Sequence, residues 1–168
     1  MSDASFDPLR NQVVEILKRY PASKRSAALP VLHLIQGRFG HVSNEAIEWA
    51  ARQLDLQPVH LLELVTFYPM FRQQPAGRYH IKVCRTLSCQ LNGGDHLREH
   101  LLSKLNVRLD ETTPDGKFTV SEVECLASCG TAPCMMVNDE LHENVTPEKA
   151  DKILGVCRVA TTDRPSLS

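Results

Sequence analysis

Aromatic residues are scarce in this chain, at 5% of 168 residues with one tryptophan, Trp49. Excess charge is missing too: 19 Lys and Arg stand against 20 Asp and Glu, for a formal net charge of −1. Nucleic-acid binding usually leaves a basic footprint, so that class is excluded. No apolar run approaches the ~20 residues needed to cross a bilayer, which excludes direct membrane insertion. Met1 to Arg10 holds no basic region followed by an apolar core, nor an Arg-rich, acid-poor stretch. The expected compartment is therefore the reducing bacterial cytoplasm. No Gly-x-Gly-x-x-Gly pattern follows a strand, so no dinucleotide site is expected. No Cys-x-x-Cys pair opens a helix, which weakens a thiol–disulfide catalyst.

What is present is an ordinary globular composition, 42% hydrophobic and 23% charged, with six cysteines. A chain of this length buries roughly 70% of its unfolded surface and needs no disulfide scaffold. In a reducing compartment, cysteines serve as metal ligands or reactive thiols more often than as disulfides.

The first half reads as helices. Asp7 is expected to cap a helix opening at Pro8, with Val13, Val14, Ile16 and Leu17 on its apolar face. A second helix is expected from about Ser26 to Phe39, with Leu29, Leu32, His33 and Gln36 at helical spacing and Gly40 ending it. Ser43 caps a third, with Ile47, Ala50, Ala51 and Leu54 as its buried stripe. Pro58 opens a fourth, carrying Val59, Leu62, Val65 and Thr66. The periodicity changes after Pro75-Ala76-Gly77. Tyr79, Ile81 and Val83 alternate as in a strand, and a helix is expected from Gly93-Gly94-Asp95 to about Lys104. A strand from Phe118 to Val123 follows, then Met135 to Val137 and Leu141 to Glu143 around an Asn138-Asp139 turn. Thr146 caps a last helix, expected to reach about Arg158. The predicted division is a helical bundle over 1–76, an α/β domain over 77–158 and a disordered tail over 159–168.

Cys84 and Cys89 are separated by four residues, Cys125 and Cys129 by three. Each pair follows a predicted strand, so both loops can leave one edge of one sheet. A 2Fe–2S cluster has two tetrahedral irons, each needing two thiolates, and two short-spaced pairs meet that demand. Two ferric ions, two sulfides and four thiolates sum to −2, and reduction makes −3. The small residues Ala127, Ser128, Gly130, Thr131 and Ala132 let backbone N–H groups approach such an anion, and Arg85 is expected to add a cation. A structural zinc site with four cysteine ligands is the main rival. Cys134 and Cys157 read as buried bystanders, with a ligand swap involving Cys134, close in sequence to Cys129, as the lesser alternative. His96-Leu97-Arg98-Glu99-His100 matches a short zinc-peptidase pattern but reads better as a solvated helix face.

At these residues the sequence resembles the thioredoxin-like 2Fe–2S ferredoxin family, the E subunits of NADH–quinone oxidoreductase (respiratory complex I). The carrying stretches are Thr66-Phe67-Tyr68, Met70-Phe71, Gly77 to Ile81 leading into Val83-Cys84, and Glu111 to Thr119. Val123-Glu124-Cys125-Leu126, Cys129, Ala132-Pro133 and Val137-Asn138-Asp139 continue it, so the resemblance covers about residues 8 to 157. It implies an α+β fold, an N-terminal helical bundle followed by a thioredoxin-like 2Fe–2S ferredoxin domain. The implied ligands of the one cluster are Cys84, Cys89, Cys125 and Cys129, with no catalytic residue in this chain. The implied role is electron transfer within an NADH:quinone oxidoreductase, peripheral to the bacterial inner membrane. The implied partners are a flavoprotein subunit, which alone binds FMN and NADH and carries a 4Fe–4S cluster, and other peripheral-arm subunits. Similar subunits serve NAD-dependent formate dehydrogenases and bidirectional hydrogenases.

Overall fold

The computed structural model describes residues 3–160. The chain forms two compact units that divide between Pro75 and Ala76.

The first unit is helical: α1 (Arg10–Lys18), α2 (Ala28–Phe39), α3 (Asn44–Leu54) and α4 (Pro58–Phe67). Three of its aromatic rings, Phe6, Phe39 and Trp49, pack together. Phe6 stacks on Trp49 with ring centroids 5.4 Å apart and meets Phe39 edge-on at 5.1 Å. Burying Phe6 and Leu9 draws the residues before α1 into a 3-10 turn, Asp3–Leu9. Asp7 consequently does not cap a helix at Pro8; its carboxylate takes the Arg10 Nε at 2.7 Å instead.

Pro30 falls in the first turn of α2, where its missing N–H costs nothing. The face of α2 differs from expectation. Ala28, Val31, Leu32 and Ile35 are buried, whereas His33 is exposed. Gly40 ends the helix with φ of 80°, a conformation glycine adopts without a Cβ clash. Ser43 caps α3 by accepting the Ala46 N–H at 3.3 Å, and Ile47, Ala50, Ala51 and Leu54 are buried as the periodicity predicts. Ser43→Ala is expected to lower stability by about 1 kcal/mol, read as a lower urea midpoint of the helical unit. In α4 it is Leu61 and Val65 that are buried; Val59 and Leu62 face outward.

The second unit is one mixed sheet of order β2-β1-β3-β4, built from β1 (Tyr79–Cys84), β2 (Phe118–Val123), β3 (Met135–Val137) and β4 (Glu140–His142). β1 and β2 run parallel, joined through the short α5 (Leu87–Leu91) and through α6 (Gly94–Leu105). β3 lies antiparallel to β1, and β4 antiparallel to β3. Ile81, Val83, Phe118, Val120 and Met135 form one core with Leu97 and Leu101 of α6 and Leu154 of α7 (Pro147–Val159).

Thr146 caps α7 through the Lys149 N–H at 3.3 Å, with Pro147 at the first helical position. β4 begins one residue earlier than predicted, at Glu140. The tail expected to be disordered over 159–168 falls outside the described residues from 161 onward, and Val159 still closes α7.

Candidate metal centre

The sheet topology decides where the thiols fall. Because β1 and β2 are parallel, their C-terminal ends lie together, with Cys84 in register with Val123. Chain leaving two parallel strands at one edge is where α/β proteins place ligands. Arg85 N–H donates to the Val123 carbonyl at 3.0 Å, so the two departing loops stay joined for one further residue. Cys84 is the last residue of β1, and Cys125 follows β2 by two positions.

Cys89 does not lie on an open loop as expected. It is buried in α5, a single turn that the pattern hides because its two leucines, Leu87 and Leu91, point to solvent. Cys84 and Cys89 are thus both buried, while Cys125 and Cys129 are exposed. The Cys125 and Cys129 sulfurs are 4.0 Å apart. The 3-10 turn Cys129–Thr131 packs beside α5, so the exposed pair and the buried pair belong to adjoining segments.

A third buried thiol joins Cys84 and Cys89. Cys134 Sγ is 3.6 Å from Cys89 Sγ, and among the described residues Cys84, Cys89 and Cys134 bring their sulfurs within 4.8 Å of one another. The reason is the antiparallel pairing of β3 with β1. It opposes Met135 to Val83, so the residue before β3 meets the end of β1, and Cys84 N–H donates to the Cys134 carbonyl at 3.2 Å. Reading Cys134 as a bystander missed this placement. A cysteine just ahead of a strand was the available signal, but it acquires meaning only with the sheet order.

Backbone and hydroxyl donors face these sulfurs. Burial pushes the Cys84 thiol up, but the Thr86 hydroxyl and N–H, the Leu126 N–H and the Cys89 thiol outweigh it, and the Cys84 pKa is lowered to about 7. Burial instead raises Cys89 and, with its two sulfur neighbours, pushes Cys134 up to about 12. Ala127, with φ of 58°, turns its N–H onto Cys125 Sγ at 3.3 Å. The same loop is anchored at its far side: Ser128 and Thr131 hydroxyls donate to the Glu143 carboxylate at 2.5 and 2.6 Å. Those two bonds hold Glu143 below the usual carboxylate range.

Arg85 does not serve as a free cation. Its guanidinium is paired with the Glu124 carboxylate, the Nε at 3.0 Å. Nor do His96 and His100 gather ligands: His100 Nε2 lies 2.8 Å from Asp151, which also takes Lys104. Cys157 is buried in the sheet core, where burial and then Glu140 raise its pKa. The donors at the edge are therefore two thiol groups on adjoining segments, Cys84, Cys89 and Cys134 within 4.8 Å of one another and Cys125 with Cys129 4.0 Å apart, and backbone N–H groups are aimed at Cys84, Cys89 and Cys125. Such soft sulfur donors fit an iron–sulfur cluster and offer little to a hard cation.

Residues 13–158 match the model of the family described as Thioredoxin-like [2Fe-2S] ferredoxin. The chain is 40% identical over 152 residues to the NADH-quinone oxidoreductase E subunit 2 of Rhizobium meliloti (strain 1021), covering 90% of each. It is 44% identical over 146 residues to the NADH-quinone oxidoreductase E subunit of Rickettsia conorii, covering 86% of this chain and 87% of that one. Among solved structures, an NAD+-reducing [NiFe]-hydrogenase in the H2-reduced state aligns with a TM-score of 0.68 at 18% identity. That alignment spans 79% of this chain and 22% of the hydrogenase chain, and it bears on fold alone.

Proposed function

Because the chain belongs to the thioredoxin-like 2Fe–2S ferredoxin family, we propose that it is the electron-carrying E subunit of an NADH–quinone oxidoreductase, itself without a catalytic site. The single observation that carries this reading is the placement of Cys84 with Cys89 and of Cys125 with Cys129 on adjoining segments at the C-terminal ends of two parallel strands. Bound there, a 2Fe–2S cluster takes up and releases one electron at a time. The ligands are Cys84 at the end of β1 with Cys89 of α5, and Cys125 with Cys129 from the segment after β2.

The chain's own groups prepare that edge for negative charge. Thr86, Leu126 and Ala127 present N–H groups to ligand sulfurs, an arrangement that stabilises thiolates and tunes a metal centre. Burial of Cys84 and Cys89 keeps water from one side, and exposure of Cys125 and Cys129 leaves the other side open to a donor. Leu87 and Leu91, 70% and 77% exposed on α5, add apolar surface beside that open side, suited to a protein partner. The partner in this reading is the flavoprotein that binds FMN and NADH and carries a 4Fe–4S cluster. The assembly lies on the cytoplasmic face of a bacterial inner membrane, with other peripheral-arm subunits around it. No described helix is long and apolar enough to cross a membrane, and attachment through partners accords with that.

Two measurements test the reading. The purified chain should be coloured, and after dithionite should give one rhombic electron paramagnetic resonance signal; a colourless chain with stoichiometric zinc overturns the cluster and favours the zinc module. NADH alone should leave the centre oxidised, whereas NADH with the flavoprotein should reduce it. Reduction by NADH without the flavoprotein would contradict the division of labour proposed here. The same assay separates this assembly from its formate dehydrogenase and hydrogenase counterparts when formate or hydrogen replaces NADH as donor with their respective complexes.

A further inference from the structure

The cysteine edge holds five thiols, and a two-iron cluster takes four. The fifth is Cys134, and its position is specific. A tetrahedral metal with sulfur bonds of about 2.3 Å holds its thiolates about 3.8 Å apart. Among the described residues, Cys125 with Cys129 at 4.0 Å and Cys89 with Cys134 at 3.6 Å stand near that separation. Cys134 is 1% exposed and fixed by its backbone, whose carbonyl accepts the Cys84 N–H, while the Val145 N–H holds the preceding Pro133 carbonyl at 2.9 Å. Cys84, Cys89 and Cys134 lie within 4.8 Å, so any two of them can approach one metal atom after small side-chain rotations.

We propose that Cys134 is a reserve iron ligand, able to take the coordination position of Cys89, so that the buried iron is held by Cys84 and Cys134 when Cys89 is lost. This rests on the cluster reading above. The exchange is one thiolate for another: Cys134 gives its thiol proton to solvent as its sulfur bonds iron, no electron changes hands, and the net charge of the centre stays the same. The buried iron thus has three available sulfurs and the exposed iron two.

The test uses the full chain and four forms of it: wild type, Cys134→Ala, Cys89→Ala and Cys89→Ala/Cys134→Ala. Each is assayed for iron and sulfide per chain, visible spectrum and the reduced paramagnetic signal. Cys134→Ala should keep the wild-type centre, since Cys89 remains in place. Cys89→Ala should keep iron within about twofold of wild type with shifted charge-transfer bands, and the double variant should lose at least about tenfold. A Cys89→Ala chain that keeps its far-ultraviolet dichroism but holds no iron overturns the proposal. So does a double variant that holds as much iron as Cys89→Ala alone. If Cys89→Ala fails to fold, the isosteric Cys89→Ser replaces it, and identical spectra for Cys89→Ser and Cys89→Ser/Cys134→Ala overturn the proposal. Iron-free wild type overturns the cluster reading itself, which the variants cannot do.

Discussion

Cys125→Ala is expected to yield a folded, colourless chain. Cys125 is exposed, so its truncation opens no cavity, and surface changes of this kind alter stability by about 0.5 kcal/mol or less. Its Sγ nevertheless receives the Ala127 N–H and stands 4.0 Å from Cys129, with no other cysteine at that spacing among the described residues. Iron at this position therefore has no substitute sulfur. Loss of groups that merely orient a ligand costs about 10–100-fold in metal affinity, so loss of the ligand should cost at least that much. Iron content and visible absorption should fall together while far-ultraviolet dichroism stays near wild type and the urea midpoint matches that of cluster-free wild type. Cys129→Ala should behave alike. A Cys125→Ala chain with full colour would mean that the exposed pair does not hold the cluster.

The asymmetry between the two cysteine groups marks the limit of what the sequence discloses. The strands β1 and β2 were legible because Tyr79, Ile81 and Val83 alternate and Phe118 to Val123 does likewise, and the turn residues between the elements carry their own chemistry. Helix starts at Ser43, Pro58 and Pro147 were legible for the same reason: capping and a fixed proline φ are local. Three features were not. α5 lacks an apolar stripe, since Leu87 and Leu91 are exposed, so nothing periodic announces it. The outward faces of α2 and α4 depend on which neighbours cover Val31, Ile35 and Leu61, a tertiary matter. Cys134 gains its neighbours from the pairing of β3 with β1, and strand order leaves no trace in residue spacing. Arg85 is a smaller instance: its charge was visible, but Glu124, thirty-nine positions on, was not recognisable as its partner.

Gly94→Ala is expected to damage the centre without removing a ligand. Gly94 opens α6, and a Cβ there would lie 2.8 Å from the Cys89 carbonyl oxygen, 3.0 Å from the Cys89 carbonyl carbon and 3.4 Å from the Cys84 carbonyl oxygen. All three are backbone atoms, which cannot swing aside as a side-chain end would. Overpacking of this kind costs about 1–3 kcal/mol, and relief requires α5 to move away from α6. Cys89 sits on α5, so that displacement carries its sulfur away from Cys84 and Cys134. The adjacent glycine at 93 has φ of 93° and serves the chain reversal into the helix, a separate requirement. Gly94→Ala should therefore lower the thermal midpoint and, in the folded fraction, shift the charge-transfer bands or reduce iron per chain. Gly130→Ala is the matched comparison: it lies in the loop of the exposed pair, but its Cβ would meet nothing within 4 Å. It should leave stability and spectrum near wild type. Were Gly94→Ala to match Gly130→Ala in both measures, the close passage of α6 over the Cys89 carbonyl would not be what positions the buried thiols.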